Sequence, residues 1–186
     1  MAGIGGIVCF DTEKSPQALA EAALWMQRAL PHGAGRRALW QQGRAALLYA
    51  GPVDGGRDAQ PVRLLCGARE WVGLYDGEER ARTALEGFAE WGEDWLCALG
   101  DAFALAVWDA QGETLTLARG AAGAELWCAR IRGGLAFAGD PSALRCLYGW
   151  TQIAPPEPMP AGHAVRAGRD SGGNMRIVHI APSESP

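Results

Sequence analysis

Lysine is almost missing from this sequence: Lys14 stands alone, and arginine carries the rest of the positive charge. No run of basic residues is present, and the net charge of −4 adds no general attraction to nucleic acid or to an anionic membrane. Cysteine is sparse, and Cys9, Cys66, Cys97, Cys128 and Cys146 are scattered, odd in number and form no CxxC pair. That spacing argues against a disulfide framework and a thiolate zinc site, so a reducing setting is expected. The three histidines, His32, His163 and His179, lie far apart in the sequence with no ligand cluster around them. No metal and no cofactor is therefore expected, and His163 and His179 read as structural. No apolar run approaches the length of a membrane span, and no basic-then-apolar leader precedes the first strand. The expectation is a cytoplasmic protein with no membrane partner and no nucleic-acid partner.

What is present suits an ordinary globular domain: 186 residues, 48% of them hydrophobic, enough to build a core without staples. Residues 1–180 are expected to form a single domain, and APSESP at 181–186 a flexible tail. The opening GIGGIVCF reads as a buried strand over 4–10. Its GIGG is not a phosphate loop, because no strand precedes it and no helix follows. Ser15-Pro16 supplies an N-cap and a first-turn proline, and Leu19, Ala23, Met26 and Leu30 form one helical stripe behind them. Residues 45–53 are a second apolar run, two short strands follow near 62–66 and 70–75, and 79–99 is helical with a break near Gly92.

Four strand-length segments come next: AFALAVWD, TLTLAR, ELWCARI and GLAFAG. Glycine-containing turns separate them, which predicts an antiparallel meander. DPSALRCLYG reads as a short helix, and SGGN at 171–174 as a hairpin turn before the terminal strand MRIVHI. Strand–helix–strand alternation is missing, so a doubly wound parallel sheet is not expected. Two packed antiparallel sheets with helices outside fit better.

Residues 91–147 resemble the glutaminase half of asparagine synthetase, a class II glutamine amidotransferase domain of the N-terminal nucleophile type. The match runs in order through Trp91-Gly92, Leu96, the strand from Phe103 to Asp109, Leu115 to Arg119, Gly123 to Trp127 and Phe137 to Asp140. GIGGIV, Gln60-Pro61 and PAGH at 160–163 extend it to about residues 1–168. The resemblance implies an α+β fold, a four-layer αββα sandwich of two antiparallel sheets. It also places Trp91, Trp108 and Trp127 in the core. Trp25, Trp40, Trp71, Trp95 and Trp150 have no such place and could form an exposed patch for a partner.

The resemblance also implies where chemistry should be, and there the sequence departs from it. The family's nucleophile is the cysteine after the start methionine, acting with its own α-amine as base. Here that position is Ala2, which cannot attack an amide. Cys9 lies well along the strand and is no substitute. The arginine that clamps the substrate carboxylate is replaced by Tyr49. The family's Asn-Gly-Glu, whose asparagine and glycine form the oxyanion hole, reads Asp76-Gly77-Glu78, and a carboxylate there repels the developing charge. The family's next helix and strand are deleted, leaving Glu79 or Arg82 nearest to the residues that hold the substrate's amino group. The arginine-glycine-proline-aspartate loop survives only as His32-Gly33-Ala34-Gly35. Ala2, Tyr49, Asp76, Gly77 and Glu78 are thus read as a vestigial pocket with no catalytic residue.

The expected function is a catalytically inactive amidotransferase-like domain that binds or scaffolds an ATP-dependent amide-forming synthetase. That synthetase would be of the asparagine synthetase, β-lactam synthetase or lasso peptide cyclase type. The partner would be a separate synthetase-like protein or a further copy of the chain. The alternatives are a sensor that binds a small molecule or peptide in the vacated pocket, and an amidohydrolase using a nucleophile foreign to the family.

Overall fold

The computed structural model describes residues 3–11, 14–30, 35–51, 59–77, 79–147 and 154–180. The chain opens with β1 (Gly3–Cys9), helix α1 (Pro16–Ala29), β2 (Arg36–Gln42) and β3 (Ala45–Gly51). It continues through β4 (Val62–Cys66), β5 (Arg69–Gly77), α2 (Ala81–Trp91) and a 3-10 helix (Gly92–Leu99). Then follow β6 (Phe103–Asp109), β7 (Thr114–Arg119), β8 (Trp127–Ile131), β9 (Gly134–Ala138) and α3 (Pro141–Arg145). The two-residue β10 (Glu157–Pro158), β11 (Ala164–Arg169) and β12 (Met175–Ile180) complete the described elements.

The strands form two six-stranded antiparallel sheets. The first has the order β10-β8-β9-β1-β3-β2, the second β12-β11-β7-β6-β5-β4. Alternation along each strand divides the apolar residues between three layers. Ile4, Val8, Leu47, Leu74, Trp108, Leu117 and Phe137 meet between the sheets. Ile7, Leu48 and Ala136 turn outward to α1 and α3, while Tyr75, Leu105 and Val107 turn outward to α2. The result is the four-layer αββα sandwich, with both faces of the central strands covered. That is why β1, β3 and β9 read as unbroken apolar runs and not as alternating ones.

Local signals set the ends of the helices. The Ser15 hydroxyl accepts from Ala18 N at 3.1 Å, and Asp140 Oδ1 accepts from Ser142 N at 2.7 Å, so both predicted N-caps form. The glycines of β1 have a packing reason. Gly6 pairs with Phe137 of β9, and a Cβ on Gly6 would stand 2.5 Å from the Phe137 ring and 2.8 Å from Ala46 O. The aromatic ring fills the space that a side chain on β1 would need.

One expectation is corrected. The four segments from 103 to 138 are not one meander. β6 pairs with β7 in the second sheet and β8 with β9 in the first, while β7 pairs on its other side with β11. The turn at Gly120–Gly123 carries the chain between layers. Gly120 N bonds to Phe103 O at 2.9 Å, and a Cβ on Gly123 would collide with Phe103 O. β2, which the sequence reading leaves unassigned, is an edge strand that pairs with β3 along its whole length.

One end of the sandwich is clasped by charge. Arg44 and Arg169 both donate to Phe10 O, at 3.1 and 2.5 Å, and Glu113 lies 3.5 and 3.9 Å from the same two guanidinium groups. This ties the end of β1 in one sheet to turns of the other.

Candidate functional site

The start of β1 and the strands beside it form the site to which the sequence points. Ala2 and Glu78 lie outside the described residues, as do His32, Gly33 and Ala34. Tyr49 is directly paired with Ile4 across the β1–β3 ladder. Its ring is 8% exposed and packs in the inter-sheet core. Asp76 pairs with Ala104, and alternation puts it on the same inter-sheet face as Val72 and Leu74. β5 packs across that layer against both β1 and β3, so the elements bearing Tyr49 and Asp76 adjoin. Both residues have partners of their own.

Gly77 follows on the outward face, pairing with Phe103. A Cβ there would collide with the Tyr75 phenol, whose ring stacks on Phe103 at 6.5 Å between centroids and 14° between planes. Gln60 then fixes the strand just before Asp76. Its side-chain amide donates to Tyr75 O and accepts from Tyr75 N, each at 2.7 Å, in a buried setting. The Gln60–Pro61 peptide bond is cis. Sequence reading had Gln60-Pro61 only as a point of resemblance and missed this role.

Neither residue offered for the substrate's amino group is placed as a clamp. Glu79 is exposed, and Arg82 makes an i,i+4 pair with Glu86 at 2.9 Å on the solvent side of α2. Cys9 lies at the far end of β1 from Gly3 and faces the helix layer with Ile7. Burial pushes its thiol above the usual range, so it is held as the neutral, unreactive form.

Chemically, the strands at this site are bare. β1, β3 and β9 (GIGGIVC, AALLYAG and GLAFA) carry no charged side chain, and Cys9 and Tyr49 hold their only thiol and hydroxyl. Among the described residues no group of three or more His, Cys, Asp or Glu side chains could hold a metal ion.

Residues 75–159 match the family model described as a glutamine amidotransferase domain. The fold agrees. Glutamine phosphoribosylpyrophosphate amidotransferase from B. subtilis, solved with ADP and GMP, superposes with a TM-score of 0.69 at 11% identity. The match covers 95% of this chain and 49% of that one. The structure titled as the allosteric regulatory enzyme of purine biosynthesis gives 0.66 at 12% identity, covering 95% and 48%. The chain therefore has the fold of these solved structures, and residues 75–159 match the glutamine amidotransferase family model. It spans about half the length of those solved structures. No curated protein sequence matches it.

Within this amidotransferase-like domain, several residues that carry the resemblance turn out to be structural. Trp108 packs between the sheets. Asp109, 3% exposed, accepts from Arg69 Nη2 at 2.9 Å and from the Gln111 and Gly112 amides at 3.1 Å. Arg119 donates to Gly123 O at 3.3 Å and Met159 O at 3.0 Å. Trp91 departs from its expected core position. It is the last residue of α2, which ends at Gly92 with φ 63°, and it is 60% exposed. Trp25 is exposed on α1, Trp40, Trp71 and Trp95 are half-buried, and Trp150 lies outside the described residues. No helix among the described residues is long and apolar enough to cross a membrane.

Proposed function

We propose that this amidotransferase-like domain has no glutaminase activity and serves as a binding or scaffolding subunit for an ATP-dependent amide-forming synthetase. One observation carries the first half. The three adjacent strands that would present a nucleophile and hold a glutamine (β9, β1 and β3) bring no cation and no nucleophile to the site. Glutamine hydrolysis needs an attacking group, a cation for the substrate carboxylate and donors for the oxyanion. Ala2 supplies no attack. Tyr49 fills core space where a clamp would reach, and Asp76 sets a negative charge where negative charge would develop.

The scaffolding half is supported by what persists. The four layers, the capped helices and the Gln60 and Asp109 networks are intact although the chemistry is vacant. The solved relatives are about twice as long as the part matched here, so in them the same fold sits within a larger chain. In this reading the domain likewise acts beside a synthetase, in a cytoplasmic setting. The test is to mix the purified domain with an asparagine synthetase-type ligase from the same source at micromolar concentration. Co-elution on size exclusion and faster amide formation are expected. No complex and no change in ligase rate would sink the scaffolding role.

A further inference from the structure

A cavity lies between the two sheets at the edge formed by β8, β10, β11 and β12. It holds about 350 Å³, within the range of small-molecule sites. Part of its wall is apolar: Leu135, Met159 and Val165 are buried, and Ile177 is half-buried beside them. Sequence reading took His163 and His179 as unrelated structural residues. Both line this cavity, His179 being paired with Val165 across the β11–β12 ladder. His163 is committed locally through Nδ1 to Ala161 O at 2.9 Å.

Two opposite charges stand at the rim. Glu157 is directly paired with Cys128, so the two share a sheet face, and Arg130 is on that same face two residues along β8. Both side chains are exposed, and among the described residues neither makes an ion pair or hydrogen bond, with the other or with a third group. Several opposite charges elsewhere are paired. Arg63 and Glu70, Arg69 and Asp109, Arg82 and Glu86, and Arg166 and Glu93 are each joined. In the larger cavity of about 470 Å³ beside the 3-10 helix, Arg119 and Glu93 are already engaged. Unlike that larger cavity, the Arg130–Glu157 cleft brings together a cation and a carboxylate that are both unengaged among the described residues, above apolar side chains.

We propose that this inter-sheet cleft binds a free α-amino acid with an apolar side chain. The guanidinium of Arg130 takes the carboxylate through paired N–H donors, Glu157 takes the ammonium, and the side chain enters the space between Leu135, Met159, Val165 and Ile177. A ligand with one charge would leave the opposite rim group facing it unmatched. A polar side chain would lose its water against the apolar walls. Leucine, methionine and phenylalanine fit the volume. The proposal is independent of whether the strands bearing Tyr49 and Asp76 support glutamine hydrolysis.

The experiment is calorimetric titration of the full chain with L-leucine, L-methionine and L-phenylalanine. N-acetyl-L-leucine, which lacks the ammonium, L-leucine amide, which lacks the carboxylate, and L-serine serve as controls. One saturable site is expected for at least one of the apolar amino acids, with each control at least about tenfold weaker, as lost bonds to charged groups imply. Arg130→Gln and Glu157→Gln should each weaken binding by about tenfold or more. Both side chains are exposed, so the variants are expected to keep the wild-type circular dichroism and melting temperature, which shows that any loss is local. Absence of saturable binding for all three amino acids overturns the proposal. So does binding that N-acetylation, amidation or either substitution leaves unchanged.

Discussion

The side chain of Gln60 stands in for a strand residue opposite Tyr75. β4 pairs with β5 from Val62 opposite Gly73, and continuing that register two residues places Gln60 opposite Tyr75. Its amide, not its backbone, meets both main-chain groups of Tyr75 at 2.7 Å. Gln60→Ala would leave a buried N–H and a buried C=O without partners. Loss of about 2–4 kcal/mol of stability is expected, read as a lower midpoint in urea denaturation. Gln60→Glu keeps the acceptor but turns a carboxylate oxygen toward Tyr75 O, and should also destabilise.

Asp109 ends β6 by accepting from Arg69 and from two turn amides. Arg69 is well exposed, so its charge contributes less than the buried acceptor does. Asp109→Ala should cost about 2 kcal/mol in the same denaturation measurement, and Arg69→Ala less than about 1 kcal/mol. Equal losses from the two would contradict this division.

Gly6 is expected to tolerate no side chain. The Phe137 ring and the Ala46 carbonyl fill the space, so Gly6→Ala should lose about 1–3 kcal/mol by overpacking. Pairing it with Phe137→Leu should recover part of the loss, which a double-mutant cycle measures.

The five thiols should separate by environment. Cys66 and Cys97 are exposed, Cys9 is buried, and burial pushes the Cys128 thiol up to about 12. Burial also raises Cys9 and Cys146. In a disulfide-reagent assay at pH 8, two thiols should react in the fast phase and the rest slowly or on unfolding. The pH dependence has a definite sign. Unfolded Cys128 loses its proton near 9.0 while the folded form keeps it to about 12. Its contribution to stability is therefore full below pH 9 and is lost as pH rises toward 12. The urea midpoint should fall between pH 8 and pH 10, and the fall should be smaller in Cys128→Ala.

Most of the architecture was legible in the sequence because its signals are local. Ser15-Pro16 and Asp140-Pro141 announce helix starts, and the apolar runs of β1, β3 and β9 announce strands covered on both faces. What was not legible depends on distant packing. Nothing in TLTLARGAAGAELWCARI says that the chain leaves one sheet for the other at Gly120–Gly123; that follows from close contact with Phe103. β2 was hidden because RRALWQQ alternates weakly at a sheet edge. At the site, the reading of Tyr49, Asp76 and Gly77 rests on resemblance alone. Gln60's role, and the meeting of His163, His179, Arg130 and Glu157 at one cleft, needed the fold. Trp91 was misplaced because proximity to a glycine break does not tell which way a terminal helical side chain points.

The most direct test of the central claim is the rate of glutamate formation from L-glutamine by the purified domain. No rate above a heat-denatured control is expected. None is expected after Ala2→Cys either, since Tyr49 and Asp76 still leave the substrate carboxylate and the oxyanion without their partners. Turnover in the wild-type protein, or a cysteine at position 2 that alone restores it, would contradict the account.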